Sequence, residues 1–377
     1  MLETLSAKIV DNQSVNFIFD DSIDLKGLEN IDVSNYNQIF IIFDEVLKEI
    51  WLTRITENIK NRNKTFLIPL EGVEKAKSLS MMSFLVDTLE EKSCSKNDLI
   101  ISIGGGTILD LSAFVASIYM RGINLLMIPT TLMGQADASS AGKTCVNGKN
   151  TKNLLGSLYM PKYVYNNINI LATSSDHSLR QGFSEIFKYG LLGSRKLLKL
   201  LNAYTKNPNN SSNLILILKE TVKVRIKLRK IDPLVSNLGH TFGHAFESES
   251  KNLVAHGDAI SVGIILSLHL SLVRKQISKE FFLELTKMMK DLKLNMHIDK
   301  SIEVHKVVEY MKNDKKSNGK KIGFVLLKDI GVTERDENEK FVFLDANYVE
   351  SFINKTLERN NLLIQGHWKN LLKNNLC

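Results

Sequence analysis

The sequence predicts an α/β protein in which an N-terminal, doubly wound, mostly parallel Rossmann-like sheet precedes a mainly helical C-terminal domain. Short β-rich runs of mostly apolar residues recur in the first half, at 39–43, 65–69, 99–103 and 124–128. Helix-like stretches at 73–89 and 111–119 lie between them, and alternation of this kind is typical of parallel sheets. After about residue 173 the segments lengthen and apolar residues repeat at helical spacing.

The length of 377 residues is suited to two cores, and we place one domain at 1–175 and a second at 176–377. An opening hairpin at 10–20 and a loop at 206–213 are also predicted. The tail beyond Lys355 is either a terminal helix or frayed. The helices predicted for the second domain are 178–192, 214–230, 241–250, 259–274 and 279–292.

Composition narrows the class of protein. The net charge is +8, but Lys and Arg are spread among acidic residues, which indicates a solvated surface or a site for small anions rather than a nucleic-acid partner. The three cysteines have no metal-site spacing and suggest a reducing cytoplasm. The N-terminus lacks the apolar core of a signal peptide, and the run 260–273 contains His269 and serines, so we expect a buried helix and no membrane span.

A glycine-rich turn follows the predicted strand 99–103. Gly104, Gly105 and Gly106 leave backbone N–H groups open to a pyrophosphate at the start of a helix, although a tight turn alone would also need glycine. Asp110 is predicted in the first turn of that helix, where a carboxylate suits the helix dipole and could meet a hydroxyl or amide. Asp44 follows the strand 39–43 and could bind ribose hydroxyls, or it could simply cap a helix.

Histidines and a carboxylate occur at metal-ligand spacing. His240 and His244 are four residues apart, hence on one helix face, and His256 opens another helix. Two such histidines with a carboxylate would form a three-ligand site with an open position, although single histidines are usually ordinary polar or surface residues. Glu185 lies on an otherwise apolar helix with Lys188 one turn on, and an exposed ion pair is the alternative.

Polar loops in the first half carry Lys, Asn and Gly. Arg121 lies just before a strand, and the segment 137–147 includes Lys143. Lys152 and Asn153 follow shortly after. Such loops suit phosphate and hydroxyl recognition, although each lysine alone is more commonly a surface residue.

Together these motifs resemble the sugar-phosphate cyclases, and the 3-dehydroquinate synthase family most of all, over roughly residues 44–331. The motifs that carry the resemblance are 104–110, 119–122, 129–132, 137–143, 152–153, 184–190, 237–244, 256–257 and 314–316. The resemblance implies a lyase that uses NAD and Zn²⁺ or Co²⁺, and a homodimer in which Arg121 reaches the phosphate in the neighbouring subunit's active site.

The resemblance also implies roles for individual residues. The metal would be held by Glu185, His240 and His256. The implied NAD contacts are Asp44, Glu74, Lys77, Gly104, Gly105, Gly106, Asp110, Thr130, Thr131, Lys143 and Lys152. The implied substrate contacts are Arg121, Asp137, Lys143, Lys152, Asn153, Lys188, Asn237, His244, Lys315 and Lys316, with Lys143, Lys188, His244, Asn237 and Asp137 catalytic.

The chemistry implied is oxidation of a ring hydroxyl by NAD, elimination of phosphate, return of the hydride and an intramolecular aldol that closes a carbocycle. The expected substrate is 3-deoxy-arabino-heptulosonate 7-phosphate, an intermediate of the shikimate pathway.

One position departs from the family pattern. Pro233 stands where family members that act on the heptulosonate carry an arginine for the substrate carboxylate. Either Arg225, Arg229 or Lys230 takes over that role, or the substrate is another sugar phosphate, such as sedoheptulose 7-phosphate or glucose 6-phosphate. Whether Lys219 or Lys223 is the family's other carboxylate lysine also stays open. A metal-dependent polyol or alcohol dehydrogenase is the rival from another reaction class, and a non-catalytic binding protein is a third hypothesis.

Overall fold

The computed structural model describes residues 2–10, 13–59, 64–149, 151–208, 210–231, 234–251, 253–298, 302–314, 316–318, 321–334 and 341–358. The chain divides into two compact units. The first unit comprises Met1–Gly182 and Pro208–Ile226, and the second comprises Phe183–Asn207 and Lys227–Cys377. The domains predicted from the sequence are 1–175 and 176–377, and they remain a prediction. The two compact units differ from them in that the segment 208–226 belongs to the first unit.

The first unit is built on a mostly parallel sheet. Its strands are β1 (Leu2–Val10), β2 (Gln13–Asp20), β3 (Gln38–Asp44), β4 (Lys64–Leu70), β5 (Leu99–Gly104), β6 (Asn124–Pro129), β7 (Lys143–Val146), β8 (Leu155–Leu158) and β9 (Tyr163–Asn167). Its helices are α1 (Thr53–Asn58), α2 (Leu79–Glu91), α3 (Gly106–Ile118) and the short α4 (Ser139–Ala141). Among the described residues, seven strands form one sheet in the order β1-β2-β9-β6-β5-β3-β4, and β7 pairs with β8 separately.

The strand order places a switch point between β3 and β5. From β3 the chain moves outward to β4 and then returns to β5 on the other side of β3, and all these pairs are parallel. In open α/β sheets ligands bind at the carboxyl ends of strands on either side of such a point. The carboxyl end of β3 is Asp44, and that of β5 is Gly104.

Burial explains why these runs form central strands. All six residues of β5 and five of the seven in β3 are buried, as expected for a parallel strand covered on both faces. One large apolar cluster joins Ile41 and Phe43 of β3 to Ile101 and Ile103 of β5 and to Trp51. The ends of these strands are therefore held rigidly.

The second unit is mainly helical. Helices α5 (Asp176–Gly193) and α7 (Ser211–Ile231) each contribute residues to both units. The remaining helices are α6 (Arg195–Lys206), α8 (His240–Glu249), α9 (His256–Val273), α10 (Lys279–Asp291), α11 (Val304–Lys312) and α12 (Ala346–Glu358). Two small antiparallel pairs complete it, formed by β10 (Lys321–Phe324) with β13 (Val342–Asp345) and by β11 (Leu327–Asp329) with β12 (Val332–Thr333).

Helix α9 has the length and apolarity of a membrane span, and 78% of it is buried inside the structure. This burial confirms the prediction of a core helix at 260–273. Helices α8 and α9 pack closely because glycine stands at their contact. A Cβ on Gly263 would lie 2.0 Å from the carbonyl oxygen of Gly239, whose own φ of +79° is in the left-handed region.

Several boundaries differ from the predictions. The helix predicted at 73–89 begins only at Leu79, where Ser78 accepts a hydrogen bond from the N–H of Met81, and a short 3₁₀ turn occupies 74–76. Asp110 is the fifth residue of α3 rather than in its first turn. The opening hairpin, β1 with β2, is confirmed and is longer than predicted. Helix α6 was not predicted. Three predicted features lie outside the described residues: Lys315, Pro233 and the tail beyond 358.

We predict that Gly263→Ala lowers the stability of the protein. Alanine alone would favour a helix by about 0.5–1 kcal/mol, but its Cβ would overlap the carbonyl of Gly239, and overpacking of this kind costs about 1–3 kcal/mol or more. The midpoint of urea unfolding should therefore fall. Ser261→Ala on the same helix is the control, because the hydroxyl of Ser261 is buried without a hydrogen-bond partner among the described residues. Equal midpoints for the two variants would contradict the prediction.

Candidate active site

The glycine turn lies at the carboxyl end of β5, as predicted. Gly105 is the N-cap residue of α3 and has no side chain to cap it, and the carbonyl of Gly104 accepts a hydrogen bond from Thr130 N at 2.9 Å. A Cβ on Gly105 would meet Thr131 Cγ2 at 3.2 Å, whereas one on Gly106 would meet only Ala138 Cβ, at 3.9 Å. The helix N-terminus is thus left open for an anion, since its first N–H groups have no intrahelical acceptor.

Asp44 ends β3 on the other side of the switch point. Its carboxylate accepts a hydrogen bond from Val46 N at 3.4 Å, so the capping alternative is observed in this structure. Gly72 packs directly against this carboxylate, and a Cβ there would lie 1.9 Å from Asp44 Oδ2. Only glycine fits this position, which sequence reasoning did not single out.

Lys77 joins residues expected to bind the cofactor to one expected to bind the substrate. Its Nζ donates to Asp110 Oδ2 at 2.8 Å and to Asn153 Oδ1 at 2.6 Å. Although burial alone lowers the pKa of the Lys77 ammonium, the Asp110 carboxylate raises it above its ordinary value. Cys145 Sγ lies 3.1 Å from Asn153 Oδ1, and burial raises the pKa of this thiol to about 12, so it stays protonated at neutral pH.

A second network extends from this cluster. Asn147 Nδ2 donates to Glu74 Oε1 at 2.9 Å, and Asn147 Oδ1 accepts from Asn153 N at 2.8 Å. Thr107 of α3 approaches the other Glu74 oxygen at 3.4 Å. Glu74, Lys77, Asp110 and Asn153 are therefore tied together next to the glycine turn, and Asn147 is a linking residue that sequence reasoning did not assign.

The remaining predicted residues of the first unit lie on loops, strand ends and short helical turns. Lys143 begins β7 and is exposed, and Lys152 is exposed in the turn before β8. Asp137 Oδ1 pairs with Arg225 Nε at 3.0 Å, and Asp137 O accepts from the same nitrogen at 3.3 Å. Arg225 is therefore already engaged by a carboxylate of this chain.

The three predicted metal ligands converge in the second unit. Glu185 Oε1 is buried without a hydrogen-bond partner among the described residues. It lies 3.7 Å from His240 Nε2 and 3.8 Å from His256 Nε2. Bonds of about 2.0–2.2 Å to one tetrahedral ion would place such atoms roughly 3.3–3.6 Å apart. The two nitrogens and one oxygen suit zinc, and the orphaned oxygen indicates that the site fits a cation.

The Nδ1 atoms of His240 and His256, on the opposite side of each ring from Nε2, also have hydrogen-bond partners. Nδ1 of His240 donates to the carbonyl of Leu238 at 3.1 Å, and Nδ1 of His256 lies 3.0 Å from Glu247 Oε2. Because a carbonyl and a carboxylate can only accept, both rings carry hydrogen on Nδ1, and each ring in its neutral form presents a lone pair on Nε2. Glu247 was not predicted, although it lies seven residues after His240 on the same helix face.

Burial, with neighbouring charges, lowers the pKa values of two histidines in the cluster. Burial, followed by the charge of Lys188, lowers the pKa of His240 well below its ordinary value. The Lys188 ammonium bonds Glu185 Oε2, and the pair is buried rather than exposed, so the surface ion-pair alternative is wrong. Desolvation, then the neighbouring His256, lowers the pKa of His244 to about 4, so this imidazole is neutral near pH 7.

Two further predicted residues lie in the same unit. Asn237 is buried on the turn before α8, and its Nδ2 has no hydrogen-bond partner among the described residues. Lys316 is buried and pairs with Asp314 at 2.7 Å. The charge of Lys316 lowers the pKa of His244, and that of Asp314 raises it. The unsatisfied amide donor of Asn237 is suited to a ligand.

The fold has solved counterparts. It is similar to 2-deoxy-scyllo-inosose synthase complexed with carbaglucose-6-phosphate, NAD⁺ and Co²⁺, with a TM-score of 0.82 and 21% identity over 94% of this chain and 100% of that chain. It is less similar to an iron-containing alcohol dehydrogenase, with a TM-score of 0.65 and 12% identity over 95% of this chain and 99% of that one. The chain therefore shares its fold with this synthase and, less closely, with this dehydrogenase.

Sequence comparison separates these classes. The family model for the 3-dehydroquinate synthase N-terminal region matches residues 67–181, and that for the C-terminal region matches 182–317. A 3-dehydroquinate synthase of Clostridium tetani (strain Massachusetts / E88) is 32% identical over 313 residues, which cover 81% of this chain and 83% of the relative. The chain belongs to the 3-dehydroquinate synthase family.

We predict that Lys77→Met destabilises the protein by about 3 kcal/mol, because it leaves the Asp110 carboxylate largely buried and unpaired. Urea unfolding would measure this loss, and Lys77→Met combined with Asp110→Asn should recover part of it. Since the folded pKa of Lys77 is raised, its contribution is complete below the unfolded pKa of about 10.4 and is lost only at higher pH. Strictly additive single-variant effects would contradict the proposed coupling.

Proposed function

We propose that this chain is a 3-dehydroquinate synthase that converts 3-deoxy-arabino-heptulosonate 7-phosphate into a carbocycle with release of phosphate, within the shikimate pathway. The observation that carries the proposal is the Glu185 oxygen that has no hydrogen-bond partner among the described residues and faces His240 Nε2 and His256 Nε2. The chain also matches the family models for both the N-terminal and the C-terminal region. Such a centre is suited to polarising a substrate hydroxyl.

When bound, the divalent ion would polarise the reacting hydroxyl, and NAD would take up the hydride and return it within the same turnover. The glycine turn 104–106, with Thr130 and Thr131, would hold the cofactor pyrophosphate. Asp44 would bind its ribose hydroxyls, and the network of Glu74, Lys77 and Asp110 would hold the rest of the nucleotide in place.

The chain's own polar groups account for the other steps. Lys143, Lys152 and Asn153 would bind phosphate and hydroxyls as donors, and Asn237 would offer its partnerless amide to a substrate oxygen. The neutral His244 would accept and return a proton, assisted by Lys188 and Lys316 as fixed positive charges. Asp137, held by Arg225, would accept from a substrate hydroxyl.

A related cyclase that acts on a sugar phosphate without a carboxylate is the second candidate. It is favoured by Pro233 and by the pairing of two of the five candidate clamp residues, Lys219 with Glu3 and Arg225 with Asp137. These cations already face carboxylates of the chain, so a substrate carboxylate would have to compete for them.

The decisive assay incubates the protein with zinc, NAD and, separately, the heptulosonate phosphate, sedoheptulose 7-phosphate and glucose 6-phosphate. We expect phosphate release with the heptulosonate and no net NADH, because the hydride is returned. Release with one of the other sugars alone would favour the second candidate. Net NADH from a polyol, with no phosphate from any sugar, would favour a dehydrogenase and refute the proposal.

We predict that His256→Ala abolishes both turnover and zinc retention, because it removes one of three ligands. Zinc content would be measured by elemental analysis after gel filtration, beside phosphate release. His297→Ala, which replaces an exposed histidine outside both candidate metal clusters, is the control. Full zinc content in the His256 variant would refute the assignment of this ligand.

The assembly is proposed to be a cytoplasmic homodimer in which Arg121 reaches the substrate phosphate of the neighbouring subunit. Arg121 is exposed, and its φ of +62° follows a φ of +47° at Met120. Two consecutive left-handed residues with side chains are strained, and such strain is retained where a loop has a specific task. This observation supports a directed role for the arginine.

Intersubunit complementation tests that arrangement. Arg121→Ala and His256→Ala should each be inactive alone. When the two variants are co-expressed, each mixed dimer of a two-fold assembly regains one complete site, so the mixture should show about a quarter of wild-type activity. A mixture as inactive as its parents would show that Arg121 serves its own subunit or no site.

A further inference from the structure

The carboxylate of Glu247 lies behind the metal cluster rather than in it. Glu247 is 5% exposed on α8, and its Oε2 is 3.0 Å from Nδ1 of His256, the first residue of α9. The opposite nitrogen of the same ring, Nε2, lies 3.8 Å from Glu185 Oε1. The ring of His256 therefore stands between two carboxylates.

The geometry separates the tasks of these two carboxylates. The Nδ1–H bond and the Nε2 lone pair point in different directions from one imidazole ring, so an ion bound at Nε2 lies away from the partner of Nδ1. Glu185 Oε1 and His240 Nε2 lie 3.7 Å apart on the Nε2 side. Glu247, His244 and His256 could also group around a cation, but Glu247 Oε2 already accepts the hydrogen bond from His256 Nδ1.

The two histidines are held by different partners. His240 donates from Nδ1 to the backbone carbonyl of Leu238, a contact that no side-chain substitution removes. His256 depends on a side chain for the same purpose, and its ring is 38% exposed while that of His240 is 10% exposed. Without Glu247 the more exposed ring would be free to rotate or to place its hydrogen on Nε2, which would block a metal bond.

We propose that Glu247 is a positioning residue of the metal centre, which fixes the orientation and tautomer of His256 so that Nε2 meets the ion. This inference rests on the proposed metal site at Glu185, His240 and His256. It assigns Glu247 no contact with the ion. The contact from α8 to the first residue of α9 also means that metal affinity depends on how closely these helices pack.

Cobalt binding to the purified apoprotein tests the proposal without any substrate. Co²⁺ affinity would be measured by competition with a chelator, and the visible absorption of bound Co²⁺ would report its ligand set. Glu247→Ala should weaken Co²⁺ binding about 10–100-fold. Glu247→Gln keeps an acceptor for Nδ1–H and should lose less than Glu247→Ala, with a spectrum like that of the wild type.

Glu249→Ala is the matched control, because Glu249 lies on the same helix two residues on and outside both candidate metal clusters. Its affinity should equal that of the wild type, and circular dichroism of each apoprotein would confirm that the variants are folded. Unchanged Co²⁺ affinity in Glu247→Ala would overturn the inference while leaving the metal site intact.

Loss of Co²⁺ in Glu247→Gln as severe as in Glu247→Ala, with an altered spectrum, would instead make Glu247 a ligand and also overturn the positioning role. A wild-type chain that binds no Co²⁺ would overturn the metal site and the inference together. Because the readouts are affinity and spectrum, failure of the proposed enzymatic activity would leave the result for Glu247 unaffected.

Discussion

The buried carboxylate of Glu185 imposes the strictest constraint on the second unit. A charge that is fully buried is costly unless opposite charges and donors surround it. Lys188 satisfies one oxygen, and the other faces two imidazole nitrogens that present lone pairs rather than hydrogens. A cation between these three atoms, as proposed, would complete the arrangement.

The packing of α8 against α9 is what brings the histidines to this carboxylate. His240 opens α8 and His256 opens α9, so their relative position depends on the distance between the two helices. Gly239, Gly243 and Gly263 allow backbone to meet backbone at this contact, where a single Cβ would collide. The glycines beside the histidines thus set the spacing of the proposed metal ligands through packing and contribute no ligand atom themselves.

In the first unit the order of the strands, rather than a buried charge, positions the candidate site residues. There the strand order of a parallel sheet creates a switch point at the carboxyl ends of β3 and β5, and polar side chains gather at these strand ends. Lys77 links Asp110 with Asn153, so residues expected to serve the cofactor and the substrate are held in one hydrogen-bonded network. A change at the expected cofactor residue Asp110 would therefore be transmitted to the expected substrate residue Asn153, because the Lys77 ammonium donates to both.

The sequence by itself determined the elements whose signals are local: the buried strands, the glycine turn, the placement of His240 and His244 on one helix, and the family. The strands, the turn and the helix face depend on spacings of one to seven residues, which backbone geometry converts directly into a shared face or a turn. The family resemblance rests on motifs spread over residues 44–331. Only the tertiary structure decided that Glu185 is buried, that Glu247 supports His256 and that Arg225 faces Asp137. Those contacts join distant segments or depend on how neighbouring helices pack, and burial of a charge is settled by its surroundings rather than by its neighbours in the chain.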